Sequence, residues 1–305
     1  MYYFIINPKA QSGRGAAVWK KIRRVLKKKH IAYEALFTEK TGHASELVRK
    51  AAQKGDENKT VVVMGGDGTI SEAMDGLWDR PDVTFAYIPI GSGNDFARTL
   101  GISSSWRKAL KGILNKEHEI MLHPGRLEIN GEVHHFGGSM GIGFDAAVCY
   151  DVENLRFKSV FNRLGLGRFT YLGVALKLLI TSLCDPIKIR LDGKDVHSFS
   201  KVLFLCALKG KYEGGGFMFT PQARMDDPYL HICVAHGIPV LKRFFLLPKC
   251  LKGKHVGSPG VSIYRCRKIE ILSSRPKFLH VDGELVGPAQ KAVVRLEETK
   301  IRMVY

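Results

Sequence analysis

Thr60-Val61-Val62-Val63-Met64-Gly65-Gly66-Asp67-Gly68-Thr69 decides how this chain is read. The apolar run has the length and β-branched character of a strand buried on both faces. Three glycines within four residues then let backbone approach an anionic ligand, since no Cβ stands in the way. Thr69 opens a helix over Thr69–Leu77, whose free N–H groups and dipole favour a phosphate. Asp67 is foreign to a plain phosphate cradle. A carboxylate there makes sense if it holds Mg²⁺ or meets the hydroxyl that receives a phosphoryl group. The stretch points to nucleotide phosphoryl transfer.

The same alternation continues on both sides. Tyr2–Ile6, Ala32–Thr38 and Thr84–Ile88 read as strands, and Ala16–Lys29, His43–Gln53 and Asn94–Leu100 as helices. Repeated β-then-α predicts a doubly wound parallel sheet covered on both faces. Ligands of such sheets bind outside the carboxyl ends of the strands. Glycine-rich segments stand at three of those ends: Asn7-Pro8-Lys9-Ala10-Gln11-Ser12-Gly13-Arg14-Gly15, the 65–69 block, and Gly91-Ser92-Gly93-Asn94-Asp95. Each alone fits an ordinary βα turn, with Asn94 or Asp95 as N-cap. Three at one edge exceed what turns require.

From about Glu119 the pattern changes. Arg126–Ile129, Val133–Gly137, Ile187–Leu191, Val202–Leu208, Leu230–Ala235, Lys268–Leu272 and Ala292–Leu296 read as strands. The pairs Asn130-Gly131, Asp192-Gly193 and Asp282-Gly283 are turn signals between them. This predicts a first α/β domain over 1–123 and a mostly antiparallel β domain over 124–305, whose last strand can pack back on the first. Asp282-Gly283-Glu284 places two carboxylates on one strand face or at either side of a tight turn. A plain Asp-Gly turn with a solvated Glu is the alternative.

Net charge is +18, from 47 Lys+Arg against 29 Asp+Glu. That balance attracts nucleotides, anionic lipid or nucleic acid. The basic run Lys20-Lys21, Arg23-Arg24 and Lys27-Lys28-Lys29 reads as one solvated helix face, and no aromatic residues interleave it as single-strand binding requires. Six cysteines without a C-x-x-C pair indicate neither zinc nor a disulfide framework, and fit a reducing cytosol. The N-terminus lacks the features of a signal peptide. Tyr171–Leu183, interrupted by Lys177, falls short of the roughly 20 residues that span a bilayer. Gly141-Ile142-Gly143-Phe144-Asp145-Ala146 fits G-x-G-x-x-A but lies outside the βαβ half, so no dinucleotide site is read there. Neither H-E-x-x-H nor G-x-x-x-x-G-K-[ST] occurs. Lys242-Arg243-Phe244-Phe245-Leu246-Leu247 is either a core helix or a surface for an anionic bilayer, with Arg156-Phe157-Lys158 and Lys177 as further candidates.

Taken in order, Asn7-Pro8 with Ser12-Gly13, the Gly65–Thr69 block, Gly91–Asp95 and Asp282-Gly283-Glu284 resemble the soluble bacterial lipid kinases of the diacylglycerol kinase catalytic-domain family, which also includes sphingosine and ceramide kinases. Leu247-Pro248-Lys249-Cys250-Leu251-Lys252-Gly253-Lys254-His255 is similar to another segment of the bacterial members. The resemblance covers nearly the whole chain, whereas G-G-D-G-T alone is shared with NAD kinases and phosphofructokinases. It implies an N-terminal α/β domain of the NAD kinase and phosphofructokinase type, a C-terminal antiparallel β-sandwich, and an active site in the cleft. ATP is then expected at Asn7, Pro8, Lys9, Ser12, Gly13, Thr38, Gly65, Gly66, Asp67, Gly68, Thr69, Ile70, Ser71, Ser92 and Asn94. Glu284 matches the proton acceptor, with Asp282 as the alternative base, and Asp282, Asp67 and Asp95 complete an acidic cluster in which Asp67 holds the catalytic Mg²⁺. Bacterial members also carry a structural Mg²⁺ loop ending in D-G-x-L-D. In the matching stretch, Ala223–His231, Pro228 stands for Gly, and Arg224 and His231 stand for acids, which leaves Asp226, Asp227 and the Tyr229 carbonyl as ligands.

The expected activity is ATP-dependent phosphorylation of diacylglycerol or a related lipid alcohol, giving phosphatidate or a lipid phosphate. The expected place is the cytoplasm, peripheral to the inner face of the cell membrane, with a homodimer compatible with the family. The alternatives are a soluble small-molecule kinase of the NAD kinase type and a binding module without catalysis. Asp282-Gly283-Glu284 and the 242–247 segment weigh against the first alternative. Four retained carboxylates weigh against the second, since a pure binder of anions would not need them.

Overall fold

Val61, Val62 and Val63 are fully buried because their strand, β3 (Thr60–Gly65), lies in the middle of a sheet. The computed structural model describes residues 1–153 and 167–305. They form two units, residues 1–124 with 297–305 and residues 125–296.

In the first unit, β1 (Tyr2–Ile6), β2 (Tyr33–Phe37), β3 and β4 (Thr84–Pro89) are parallel, in the order β2-β1-β3-β4. β15 (Ile301–Val304) adds parallel to β4, and β5 (Glu119–Leu122) closes the sheet antiparallel to β15. The sheet is therefore mixed at one edge, and the 297–305 tail, counted by sequence within 124–305, belongs to the first unit. Pairing with Ile301–Val304 keeps β4 from presenting an open edge. Phe4, Ile6, Val62, Met64, Ala86 and Ile88 lie under α1 (Ala10–Lys28) and α5 (Trp106–Asn115). The alternate residues Tyr3, Ile5, Val61, Val63 and Phe85 are equally buried, as the strand period of two requires. There α2 (His43–Ala52) and α3 (Asp67–Leu77) pack on β1 and β3. α4 (Asp95–Leu100) follows β4. Helix α5 has no counterpart in the sequence reading.

The second unit is a nine-stranded antiparallel sheet in the order β12-β11-β10-β8-β13-β14-β6-β7, with β9 pairing β10 and β13. The strands are β6 (Gly125–Ile129), β7 (Glu132–Phe136), β8 (Ser139–Gly143), β9 (Asp185–Leu191), β10 (Asp195–Leu208), β11 (Leu230–His236), β12 (Val261–Cys266), β13 (Lys268–Val281) and β14 (Glu284–Leu296). Register shifts break the long strands β10 and β13, so that their first halves pair with β9 and their second halves with β8. Such irregularities bend a strand, and the sheet closes over a core that includes Leu127, Phe136, Ile189, Leu205, Ile232 and Leu279. On the other side of β10, Phe204, Cys206 and Leu208 pack under Leu179 of α7 (Gly167–Thr181) and Leu246 and Cys250 of α8 (Val240–Leu251). β10 is thus covered on both faces, which explains its unbroken apolar run Val202–Leu208. α6 (Phe144–Glu153) follows β8. No described helix is long and apolar enough to cross a membrane.

Candidate functional site

In the first unit the loops after β1, β2 and β3 line a cavity of about 240 Å³, formed by Asn7, Lys9, Thr38, Glu39, Lys40, Thr41, Thr69 and Glu72. These are carboxyl ends of parallel strands, where such sheets bind ligands. Asn7 donates from Nδ2 to Thr69 Oγ1 at 3.2 Å and accepts the Lys9 N–H at Oδ1, 3.1 Å, so it ties the first loop to the glycine block. Lys9 is exposed, and its ammonium reaches the Glu39 carbonyl at 3.4 Å. Gln11, Ser12 and Gly13 all lie in the left-handed region, with φ of 47°, 56° and 94°. Consecutive strained residues in a loop mark a place where the backbone serves something other than helix continuity. The regular helix starts only beyond them, near the predicted Ala16. Glu72, absent from the sequence reading, sits one turn after Thr69 on α3. Its Oε2 accepts the Ala44 N–H at 2.9 Å.

Two glycine loops meet backbone to backbone. A Cβ on Gly91 would stand 2.6 Å from Gly66 Cα. Asp67 opens α3, and its Oδ2 accepts the Asn94 N–H at 2.8 Å, so it does the capping work at α4 that the sequence reading gave to Asn94 or Asp95. Asn94 instead closes its own turn, from Nδ2 to the Gly91 carbonyl at 2.7 Å, and Asp95 pairs with Arg98 at 2.6 Å. Burial pushes the Asp67 carboxyl above its ordinary value, against the lowering effect of the Asn94, Asp95 and Phe96 N–H groups and of Arg98. Its Oδ1 is buried with no hydrogen-bond partner. A buried, unpaired carboxylate oxygen beside a phosphate-type loop is the donor that Mg²⁺ takes, so Asp67 fits a metal ligand. Ile70 and Ser71 are buried on α3, so their side chains serve the core. Thr38 is buried and Ser92 exposed.

In the second unit Asp282 (φ +49°) and Gly283 (φ +88°) make the two-residue turn between β13 and β14. Two left-handed residues are what a tight hairpin turn needs. The Asp282 carboxylate accepts the N–H groups of Gly137, Gly138 and Ser139 at 2.8, 2.8 and 2.7 Å. Expected among the catalytic acids, it is occupied as the acceptor that joins this turn to the β7–β8 turn. Glu284, half-buried, begins β14. On the other side, the Gly283 N–H donates to His280 Nδ1 at 3.2 Å. An accepting Nδ1 puts the ring proton on Nε2, which faces Glu213 Oε1 at 3.0 Å and Asp145 Oδ2 at 3.4 Å. Burial pushes the Glu213 carboxyl up. A Cβ on Gly141 would lie 1.9 Å from Asp145 Oδ2. The G-I-G-F-D-A stretch, set aside as a dinucleotide motif, thus serves a buried polar cluster behind the turn.

The 223–231 loop does not match the structural Mg²⁺ site expected of it. Arg224 grips Asp226 with two bonds of 3.0 and 2.9 Å, and His231 Nε2 lies 3.0 Å from Asp227 Oδ2. The Asp227 and Tyr229 carbonyls both accept from the Lys209 ammonium, the latter at 3.3 Å. Each expected ligand already holds a basic partner.

Of the basic-apolar segment, Arg243 is buried. Its guanidinium donates to the Leu179 carbonyl at 2.8 Å and the Ile238 carbonyl at 3.2 Å, so it anchors α8 to α7 and faces no lipid. Leu246 is buried too, whereas Phe245 is 73 % exposed and Leu241 77 %. Ile180 and Leu183, in and after α7, are also exposed. Lys177 pairs with Asp151 at 3.2 Å. Arg156, Phe157 and Lys158 lie outside the described residues.

Comparison with known proteins supplies the context. The model described as the diacylglycerol kinase catalytic domain matches residues 1–122, and that of the YegS C-terminal NAD kinase beta sandwich-like domain matches residues 138–303. The "Putative lipid kinase YtlR" of Bacillus subtilis is 30 % identical over 295 residues, covering 94 % of both chains. A diacylglycerol kinase of Mycobacterium tuberculosis is 29 % identical over 280 residues, covering 91 % of this chain and 87 % of its own. The crystal structure of a "putative diacylglycerol kinase" from Bacillus anthracis superposes with a TM-score of 0.80 at 26 % identity, covering 100 % of this chain and 94 % of that one.

Proposed function

Since this chain belongs to the lipid-kinase family that carries a diacylglycerol kinase catalytic domain, we propose that it transfers the γ-phosphate of ATP to the hydroxyl of diacylglycerol or a related lipid alcohol. The observation that carries the reading is Asp67: a buried carboxylate oxygen without a partner, set in a glycine loop at a helix start. In this proposal the backbone of residues 65–69 and the loop from Asn7 to Gly13 cradle the phosphates. Thr38 and Lys9 border the nucleotide. Asp67 would hold Mg²⁺, which when bound would offset phosphate charge. Ser92 borders the nucleotide, the Asn94 turn fixes the loop against which Asp67 is set, and Asp95 keeps its place through Arg98.

Phosphoryl transfer passes through a loose transition state, so positioning and charge stabilisation outweigh a strong base. Glu284 accepts the proton of the lipid hydroxyl, a role typically worth about 10²–10⁴-fold. Asp282 holds the turn from which Glu284 starts. The lipid lies in a membrane, and α7 and α8, which pack on each other, carry the exposed Phe245, Leu241 and Ile180 with Lys242, Lys249 and Lys252 nearby. Apolar side chains with basic neighbours suit an anionic bilayer, each basic residue adding about 1 kcal/mol near the surface.

The test is incubation of the purified protein with γ-labelled ATP and Mg²⁺ against diacylglycerol, ceramide, sphingosine, undecaprenol and NAD. The proposal expects label in a lipid. Label in NAD alone, or in none of the acceptors, overturns it.

A further inference from the structure

Lys209 follows directly on β10 and is only 1 % exposed. An ammonium has three N–H donors and no acceptor. Here it donates to the carbonyls of Asp227 and Tyr229, which lie two residues apart in the 223–231 loop. The two carboxylates of the loop are engaged by a guanidinium and an imidazole, as described above.

We infer that the Lys209 ammonium is the resident cation of this loop and takes the place of a structural divalent metal. A divalent ion at the Asp227 and Tyr229 oxygens would stand beside a buried positive charge, where like charges repel strongly. It would also have to displace Arg224 from Asp226 and His231 from Asp227. Lys209, Arg224 and His231 are all basic, and between them they engage the Asp226, Asp227 and Tyr229 oxygens a metal would have used. The Lys209 backbone N–H donates to the Gly138 carbonyl at 2.7 Å, and the Gly138 N–H donates to Asp282. The ammonium therefore links the loop, through one residue, to the turn that precedes Glu284.

The inference is independent of the proposed reaction, and its test needs no turnover. The thermal unfolding of the full chain is followed in EDTA and in millimolar Mg²⁺, Mn²⁺ or Ca²⁺, without nucleotide. Asp67→Asn serves as background, so that metal at Asp67 does not contribute. The expected result is an unchanged midpoint in every medium and no metal retained after dialysis by elemental analysis. Lys209→Met is expected to lower the midpoint by roughly 5 °C or more, because two buried carbonyls lose their donor. A saturable stabilisation by a divalent ion that Asp227→Asn abolishes, or retained metal that this substitution releases, would overturn the inference. An unchanged midpoint in Lys209→Met would overturn it as well. Should Lys209→Met fail to fold, the metal titration of the chain that keeps Lys209 still decides.

Discussion

Asp282 and Glu284 share one hairpin, and their substitutions should separate structure from chemistry. Asp282→Ala would leave the N–H groups of Gly137, Gly138 and Ser139 without their acceptor. A hydrogen bond to a charged group contributes about 1.5–3 kcal/mol, and Ala in the left-handed conformation costs about 1 kcal/mol more. Over three bonds the sum is about 5–10 kcal/mol, comparable to the whole stability of a small domain, so Asp282→Asn is the informative variant. Asn tolerates the φ of +49° and keeps one oxygen, which suffices for Gly138 and Ser139, both on Oδ1. It turns an amide toward the Gly137 N–H, a loss of about 1–3 kcal/mol. Glu284→Gln, nearly isosteric at a half-buried position, should cost about 1 kcal/mol of stability or less, yet lower kcat by about 10²–10⁴-fold. The three tryptophans, Trp19, Trp78 and Trp106, all lie in the first unit, so urea unfolding read by fluorescence would miss the turn. Amide hydrogen exchange at residues 137–139 reads it locally. Faster exchange is expected in Asp282→Asn and unchanged exchange in Glu284→Gln. If Asp282→Asn abolished turnover as fully as Glu284→Gln while residues 137–139 stayed protected, Asp282 would be the chemical residue and the reasoning would fail.

Gly91→Ala would drive a methyl to within 2.6 Å of Gly66 Cα and part the two glycine loops, so the KM for ATP should rise at least about tenfold at a stability cost of about 1–3 kcal/mol; an unchanged KM would mean that this contact does not shape the nucleotide site. Phe245→Glu with Leu241→Glu should leave stability within about 0.5 kcal/mol, because both side chains are exposed. The pair should abolish sedimentation with anionic vesicles, and wild-type binding should weaken as salt rises. Binding that ignores both the substitutions and the salt would place the membrane contact elsewhere.

The parallel half of the fold was legible because its strands are buried on both faces and its loops are short, so Val61–Val63 and its neighbours stand out as apolar blocks. Helix α5 escaped, since its buried residues Ala109, Leu110, Gly112 and Ile113 are small or flanked by lysines. The last strand read from the sequence, Ala292–Leu296, stays in the second unit as part of β14; the short tail strand β15 was not read, and its partner β4 lies more than 200 residues away in sequence and is specified only by the completed sheet. In the site, glycine spacing announced where backbone comes close, and Asp67 stood out among those glycines by its charge. What partners a side chain has was not legible. Arg243 reads as a membrane-facing charge until Leu179 is seen to hold it, and nothing in the sequence shows that the Asp282 carboxylate accepts the N–H groups of Gly137–Ser139. Arg224 and His231 did signal trouble at the metal loop. Their answer, Lys209, sits 15 residues before Arg224 at the end of a strand, where only tertiary structure shows that it reaches the loop.

Asp67→Asn tests the central claim most directly, because chemistry and stability should move differently. Burial raises the Asp67 pKa in the folded chain. Stability from this group is therefore fully present below the ordinary carboxyl value of about 3.9 and is lost as pH rises through the raised one. At neutral pH the ionised carboxylate is a burden on the unliganded protein, and asparagine does not carry it. Transfer from γ-labelled ATP to diacylglycerol in mixed vesicles should fall to background in the variant, while the unliganded midpoint at pH 7 stays equal or rises. Wild-type turnover by Asp67→Asn would contradict the assignment of this carboxylate to the metal–phosphate site.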